Sequence, residues 1–430
     1  MRRLALLMCL TSACAGPSVT TVRPEPPMPP PPAPSKAPPV PSGPAARELA
    51  PLPLQRVTST EGIFTAEVEA VAAPKLTRHE GSTRLEIPLG TEAPLSCFVY
   101  ERPIDAAGAV IAVAKAAQGH RSVSVRSLTP TDVSVVAGAP VMFVDMDYEV
   151  ATSGDRVSAG RLKLMVSASP ELPLLCAHDE PGYARTFQRI TTGIATTLQV
   201  PGQPRAPVSM TELRVLKLDG RLAGFEWRTG RSLGGGTQRT EAFTSLLLPG
   251  SENGPRAEDR TITTVTDDAG QLLEQRHAYA ENGGLKLQVT LRRDRPSKPP
   301  RPMPATAYRY EGRQGSRTLK GHFTSIRGVA TEEMIRTGIR DGLLTGDASE
   351  VLFDVYRPEA DATAPTEVVL RRTPAAGPRA LTVTTGTVTE EARADASGAL
   401  EWTERILPEG RLTTELVYAT PAPGKDDSRP

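Results

Sequence analysis

The sequence predicts an α+β fold. An N-terminal antiparallel sheet with two helices on one face is followed by a mainly antiparallel β region of one or two subdomains. Residues 57–200 alternate apolar and polar positions as half-buried strands do, and two helical stretches interrupt the pattern. Residues 208–419 continue as strand after strand, punctuated by turns rich in Gly and Asp. Because short polar turns join most of the strands, we expect antiparallel pairing.

Charge and composition argue against binding to nucleic acid. The chain has 50 basic and 49 acidic residues, and aromatic residues make up only 4% of it. A chain so close to neutral has no overall field that attracts nucleic acid or an anionic membrane surface. Few aromatic side chains are available to stack on bases. We therefore expect no nucleic-acid partner.

The N-terminus has the order of residues found in export signals. Arg2 and Arg3 precede the apolar run Leu4–Leu10, and small residues then lead into Cys14. A basic region, a short apolar core and a small-residue cleavage site are typical of a secretory signal peptide. The run is too short to span a bilayer, which takes ~20 apolar residues. Residues 1–13 are therefore the predicted signal peptide.

The sequence Ser12-Ala13-Cys14-Ala15 resembles the bacterial lipobox, in which the signal peptide is cut just before a cysteine that carries lipid. The resemblance implies a lipoprotein with fatty chains such as palmitate on Cys14, and hence the membrane as a partner. Several chains on one residue, at ~0.8 kcal/mol per buried CH₂, give stable attachment. Ala15 resembles the pattern of lipoproteins sent to the outer membrane, so the expected location is the cell envelope, at that membrane.

Residues 14–56 are the predicted linker between this anchor and the folded chain. The sequence contains 42 prolines, and they are concentrated between Pro24 and Pro53, with an unbroken run at Pro29–Pro32. A segment of this composition cannot build a core and favours an extended polyproline II conformation of ~3.1 Å per residue. We expect it to hold the folded part away from the membrane.

Residues 57–200 form the predicted α+β domain. The stretch Ala106–Ala117 is rich in alanine and predicts the first helix. The second helix places its apolar residues at spacings of four and three, on one face: Tyr183, Phe187, Ile190, Ile194 and Leu198. A short strand of the form Pro-Leu-x-Cys precedes each helix, ending at Cys97 and at Cys176.

These two cysteines are the candidates for a disulfide. The chain has four cysteines, and the signal peptide and lipid site account for Cys9 and Cys14. An even pair remaining in an exported protein predicts a bond between Cys97 and Cys176. The alternative is two buried free thiols that act as small apolar side chains.

Two β-rich segments complete the predicted organisation, residues 208–293 and residues 305–419, followed by a disordered tail at 420–430. The second segment also contains a predicted helix over Glu332–Leu343, which Thr331 can cap. Whether the two segments form one domain or two is left open by the sequence.

Signals for catalysis are weak. Gly230–Gly234 has the G-x-S-x-G spacing of a nucleophile elbow, but a predicted strand, Glu241–Leu248, follows where an elbow requires a helix. Cys176 and His178 could act together as thiolate and base at a strand end, unless a disulfide removes the thiol. The five histidines are too scattered for metal ligation. We therefore expect no enzyme, no metal and no cofactor, with a thiol-dependent enzyme as the minor alternative.

The predicted function is a non-catalytic binding or structural role in the cell envelope, with an envelope protein or an apolar ligand as partner. An alternative is that the β-rich half carries a lipid or another apolar ligand. Such a carrier needs apolar residues on both strand faces, whereas many of these strands alternate with Thr, Arg and Glu. Aromatic residues such as Trp227 and Trp402 are predicted to pack within the sheet.

Overall fold

The computed structural model describes residues 47–119, 122–151, 157–202, 207–250, 254–294 and 305–420. The predicted signal peptide, the lipid site Cys14 and nearly all of the C-terminal tail lie outside these ranges. All described residues belong to one compact unit. Within these ranges, none of the helices combines the length and the apolar character needed to cross a membrane.

The N-terminal half contains a hairpin and a seven-stranded antiparallel sheet. The hairpin pairs β1 (Leu54–Thr58) with β2 (Thr65–Glu69). The strands of the sheet are β3 (Lys75–His79), β4 (Ser82–Ile87), β5 (Leu95–Tyr100), β6 (Val123–Val136), β7 (Ala139–Ala151), β8 (Val157–Ser167) and β9 (Leu174–His178). They lie in the order β3-β4-β5-β9-β8-β7-β6. Helix α1 (Ala106–Gln118) follows β5, and helix α2 (Ala184–Thr197) follows β9.

The two helices cover opposite faces of this sheet, so the prediction that both lie on one face is wrong. Val141 and Phe143 of β7 pack in the cluster that contains α2, whereas Met142 and Val144 pack in the cluster that contains α1. Successive side chains of a strand point to opposite faces. Both faces are apolar here, because every residue from Ala139 to Val144 is buried. Each face therefore needs a cover of its own.

The remainder of the chain forms a fourteen-stranded antiparallel sheet. Its first strands are β10 (Met210–Leu218), β11 (Arg221–Gly234), β12 (Thr237–Leu248), β13 (Arg256–Thr266), β14 (Leu272–Glu281), β15 (Gly284–Arg293), β16 (Thr306–Gln314) and β17 (Arg317–Ser325). The others are β18 (Glu350–Val355), β19 (Thr366–Arg372), β20 (Ala380–Thr385), β21 (Val388–Ala394), β22 (Leu400–Leu407) and β23 (Gly410–Thr420). Since β23 pairs with β10, the segments 208–293 and 305–419 share one continuous sheet.

The end strands of this large sheet are joined, which makes it nearly closed and barrel-like. Val329, just after β17, forms an isolated parallel bridge with Asp354 of β18. Ser325 donates its hydroxyl to the Asp354 carboxylate at 2.5 Å, and Arg327 donates to the same group at 2.8 Å. Unpaired strand edges are sites of unwanted association, and these contacts cover part of both edges. The predicted mainly antiparallel β region is confirmed, and the described part of the chain as a whole is mostly antiparallel β.

One face of the large sheet packs against the N-terminal layer. Leu213, Phe225 and Trp227 lie in the same core cluster as α1 and β7. We call the opposite face of the sheet its inner face. Because neighbours in a strand alternate sides, Arg228 points to the inner face.

A helix that begins where the sequence predicts covers part of the inner face. Helix α3 (Glu332–Thr337) starts at Thr331, whose hydroxyl accepts from the Met334 N–H at 3.4 Å. It continues as a π-helix over Gly338–Leu344. Ile339 and Leu343 of this π-helix are fully buried against β19, β20 and β21.

Helix α1 is joined to the large sheet by a buried carboxylate. Asp259 of β13 accepts hydrogen bonds from the backbone N–H groups of Gly108 (2.8 Å) and Ala107 (3.1 Å) at the start of α1. Ser245 of β12 donates its hydroxyl to the same carboxylate at 2.7 Å. The first N–H groups of a helix have no partners within the helix, so this acceptor satisfies them. Burial raises the pKa of Asp259 to about 6.

Candidate functional site

A cavity of about 120 Å³ lies where the two sheets meet. Its walls come from five places: the β6–β7 turn, the β8–β9 loop, the C-terminal end of α2, the segment before β10 and strand β11. The lining residues that matter for its chemistry are Leu172, Leu174, Leu198, Val208, Trp227 and Arg231. The cavity is therefore a product of the packing between layers, and no single segment of sequence contains it.

Local sequence fixes two of these walls. Ala137 and Gly138, between β6 and β7, have φ angles of 50° and 79°. Two consecutive positive φ angles are typical of a type I′ turn, which closes a hairpin tightly. In the β8–β9 loop, the hydroxyl of Ser169 accepts from the backbone N–H groups of Glu171 and Leu172, each at 3.4 Å. This turn places the buried side chain of Leu172 in the wall.

Most of the wall is apolar. Leu172, Leu174 and Leu198 are each at most 6% exposed, and the indole of Trp227 is 4% exposed. Val208 lies on the approach to β10 and also lines the cavity. Ligand sites in proteins combine such apolar walls with a few polar groups that fix orientation.

The polar groups come from one face of β11. Trp227, Thr229 and Arg231 are two residues apart, so their side chains point the same way. In the described part of the chain, Trp227 Nε1, Thr229 Oγ1 and Arg231 Nε are buried without a hydrogen-bond partner. Buried polar groups in native proteins normally have partners. This strand therefore offers unused hydrogen-bonding groups beside the cavity.

Two charged residues line the cavity, Arg231 and Glu171. Arg231 is half-buried, and within the ranges given above no carboxylate lies within ion-pair distance of it. Glu171 is exposed at the rim, where water solvates it. The cavity thus combines apolar walls with one cation, Arg231, for which the described residues supply no counter-ion.

The predicted Cys97–Cys176 disulfide is present. The cysteines face each other on the neighbouring strands β5 and β9, and both side chains are fully buried in the cluster beneath α2. The thiol-dependent alternative is therefore wrong, because the sulfur of Cys176 is already bonded. His178, its proposed base, is only 1% exposed. Burial lowers the pKa of His178, so its neutral form is favoured.

The other sequence candidates have structural roles or lie elsewhere. Ser232 is part of strand β11, and strand β12 follows it, so Gly230–Gly234 forms no nucleophile elbow. Trp402 packs against Arg393, whose guanidinium carbon lies 5.5 Å from the ring centroid. Trp227 packs in the core, as predicted, but it also lines the cavity. Sequence reasoning missed this second role, and it missed Arg231 entirely.

Comparisons with known proteins found distant similarity to solved structures only. No protein-family model matches the chain, and no curated protein matches it either. Among solved structures, the chain is similar to a beta-barrel-like protein of domain of unknown function DUF1849 from Brucella abortus. The TM-score is 0.36 at 11% sequence identity, over 49% of this chain and 96% of that chain. At these values the similarity carries no argument about function.

Proposed function

We propose that this protein is a non-catalytic binding protein that takes a small, partly apolar molecule in the cavity between its two sheets. The observation that carries the proposal is the combination of leucine-lined walls with buried hydrogen-bonding groups that have no partner among the described residues. Empty apolar space loses packing contacts, and unpaired polar groups lose hydrogen bonds. A ligand of matching shape and chemistry would restore both.

The size of the cavity favours a small molecule over a whole lipid. A cavity of ~150 Å³ is enough for benzene, and this one measures about 120 Å³. The inner face of the large sheet, the site of the alternative lipid-carrier role, is covered by the chain's own Ile339, Leu343 and Tyr356. Each of these side chains is at most 1% exposed.

A cavity-filling substitution tests the binding role. We expect Ala195→Leu, in the wall formed by α2, to weaken binding at least tenfold because the added carbons occupy the space of the ligand. The chain has two tryptophans, so a Trp402→Phe background leaves Trp227 as the only fluorescent reporter. Binding is measured as the change in Trp227 emission during titration with carboxylic acids, amides and alcohols of four to six carbons.

The matched control is Ala116→Leu, at an exposed position of α1 that is far from the cavity lining. It adds the same side chain and should leave every titration unchanged. If no compound of the panel changes Trp227 emission in the Trp402→Phe protein that retains Ala195, the proposed binding role is wrong.

We also propose that the protein is exported and anchored through lipid on Cys14, with the proline-rich residues that precede the described part of the chain as the spacer. The sequence of the N-terminus supports this proposal, and a disulfide suits an oxidising compartment outside the cytosol. Intact-mass analysis of the protein from the membrane fraction tests it. We expect the mass of a chain that begins at Cys14 and carries lipid, whereas a chain that retains Met1 or lacks lipid would contradict the anchor.

A further inference from the structure

We propose that the ligand of the inter-sheet cavity is a small monocarboxylate with a compact apolar group, whose carboxylate pairs with Arg231. This inference rests on the binding role proposed above and adds the chemical class of the ligand. It depends on charge, on hydrogen-bond donors and on volume.

The charge comes from Arg231. A cation that is partly removed from water is destabilised unless an anion compensates it. None of the carboxylates in the described ranges forms an ion pair with Arg231, although most arginines of the large sheet have one. A guanidinium matches the geometry of a carboxylate and can bind it through two parallel hydrogen bonds. An anionic group is therefore the complement that the cavity lacks.

The donors extend this argument beyond charge. Trp227 Nε1 and Arg231 Nε can only donate hydrogen bonds, and the described residues supply neither of these buried groups with an acceptor. Thr229 lies between them on the same face of β11 but is not part of the cavity lining. A purely apolar ligand would leave these groups unpaired, whereas carboxylate oxygens accept several hydrogen bonds. The polar side of the cavity thus favours a ligand that carries hydrogen-bond acceptors.

The volume limits the apolar part. The cavity has a volume of about 120 Å³, somewhat less than the ~150 Å³ that holds benzene. Its apolar lining includes Leu172, Leu174, Leu198 and the Trp227 ring. An aliphatic group of four or five carbons, particularly a branched one, matches this space. A longer aliphatic group of the ligand would extend beyond the cavity.

The rim limits the charge of the ligand. Glu171 is the second charged residue of the lining, and it is exposed. Water screens it from a carboxylate held at Arg231, but a second carboxylate on the ligand would lie closer to it. The cavity therefore fits a monocarboxylate better than a dicarboxylate.

A pair of nearly isosteric ligands tests the inference. Isovalerate and isovaleramide have the same branched chain and differ in charge. We expect isovalerate to bind the Trp402→Phe protein at least tenfold more tightly than isovaleramide, measured by titration of Trp227 emission. Raising the salt concentration should weaken only the binding of isovalerate.

Variants of Arg231 assign the difference to one side chain. Arg231→Gln should remove the preference for isovalerate and leave the affinity for isovaleramide within twofold. Arg231→Lys keeps the charge but not the planar pair of donors, so an intermediate preference is expected. Arg221→Gln, exposed at the other end of β11, is the matched control and should keep the full preference. Thermal unfolding of each variant shows that the fold is intact.

The outcomes separate the two proposals. Equal binding of acid and amide by the protein with Arg231 would overturn the carboxylate inference and leave the binding role standing. A preference that survives in Arg231→Gln would also overturn it, since the anion would then pair elsewhere. If neither compound binds, the carboxylate inference fails, and the titrations with the wider panel decide the binding role. The comparison of the two ligands in the protein with Arg231 needs no variant of Arg231, so an Arg231 variant that fails to fold leaves the test intact.

Discussion

Arg228→Met is expected to lower the free energy of unfolding by about 3–5 kcal/mol, the usual effect of removing one partner from a buried ion pair. Arg228 lies on the inner face of the large sheet with a side chain only 12% exposed. Its guanidinium is 2.9 Å from Glu332 of α3 and 3.2 Å from Glu226 of β11. Methionine would leave Glu332 without its nearest cation and would remove one of the two cations beside Glu226.

The effect is large because Arg228 belongs to a balanced network. Glu212 contacts Arg336 of α3 at 2.8 Å and Arg214 at 3.4 Å, and Arg214 also pairs with Glu226 at 2.9 Å. Three arginines and three glutamates therefore connect α3 to β10 and β11. Burial alone would raise the pKa of Glu332, but Arg228 and Arg336 lower it to about 2.

Urea denaturation measures this prediction, and its pH dependence adds a second readout. A carboxylate with a lowered pKa in the folded state stabilises the protein above its ordinary pKa and loses that contribution as the pH falls. For Glu332 this window runs from its ordinary value of 4.5 down to about 2. We expect the loss of stability over this window to be smaller in Arg228→Met.

The matched control is Arg411→Met, which breaks the exposed pair between Arg411 and Glu404 at 3.2 Å. Exposed pairs contribute about 0–1 kcal/mol, so little change is expected. The double variant Arg228→Met/Glu332→Met should recover part of the lost stability, because an apolar pair replaces a broken ionic one. A loss below about 1 kcal/mol in the single variant would mean that water solvates the network.

Removal of the disulfide is the second substitution with a large expected effect. Cys97 and Cys176 are 79 residues apart in sequence, and their bond restricts the unfolded chain over that whole loop. In the chain-entropy model, a loop of this length corresponds to roughly 4–5 kcal/mol. We expect Cys97→Ala/Cys176→Ala to lose stability of that order in a denaturant titration.

Reductant provides the control for this prediction. The unmodified protein, denatured in the presence of reductant, should unfold near the midpoint of the double variant, because the unfolded chain is then no longer cross-linked. The double variant itself should not respond to reductant. A double variant as stable as the oxidised protein would show that this bond contributes nothing to the fold.

Local structure was the part of this fold that the sequence could predict. Alternation of apolar residues identified the strands, and Thr331 with the glutamates after it marked the start of α3, because these signals depend on neighbours in the chain. The Cys97–Cys176 bond was predicted because the signal peptide and the lipid site account for the other two cysteines. The helix arrangement was predicted wrongly because the second apolar face of β7 is covered by α1 and the large sheet, and alternation alone does not show what covers each face.

The cavity could not be predicted for a related reason. Its residues come from five parts of the chain that meet only after the two sheets have packed. Trp227 looked like an ordinary core aromatic, and Arg231 lay in a glycine-rich stretch that resembled a loop. The one local signal was the spacing of Trp227, Thr229 and Arg231. These residues share one strand face, on which the side chains change from apolar to basic along the strand. That pattern also occurs in strands that simply emerge into solvent.

The pairing of β10 with β23 has a consequence for how the protein is made. Thr211 and Thr420 are partners in this ladder although 209 residues separate them. Most of the chain must therefore have been synthesised before β10 can find its second neighbour, and such distant contacts slow folding. Until then β10 remains an unpaired edge strand, with which other incompletely folded chains could pair. A chain that ended before Gly410 would lack β23, and β10 would then remain an unpaired edge. Strand β23 therefore protects the large sheet from pairing with other chains.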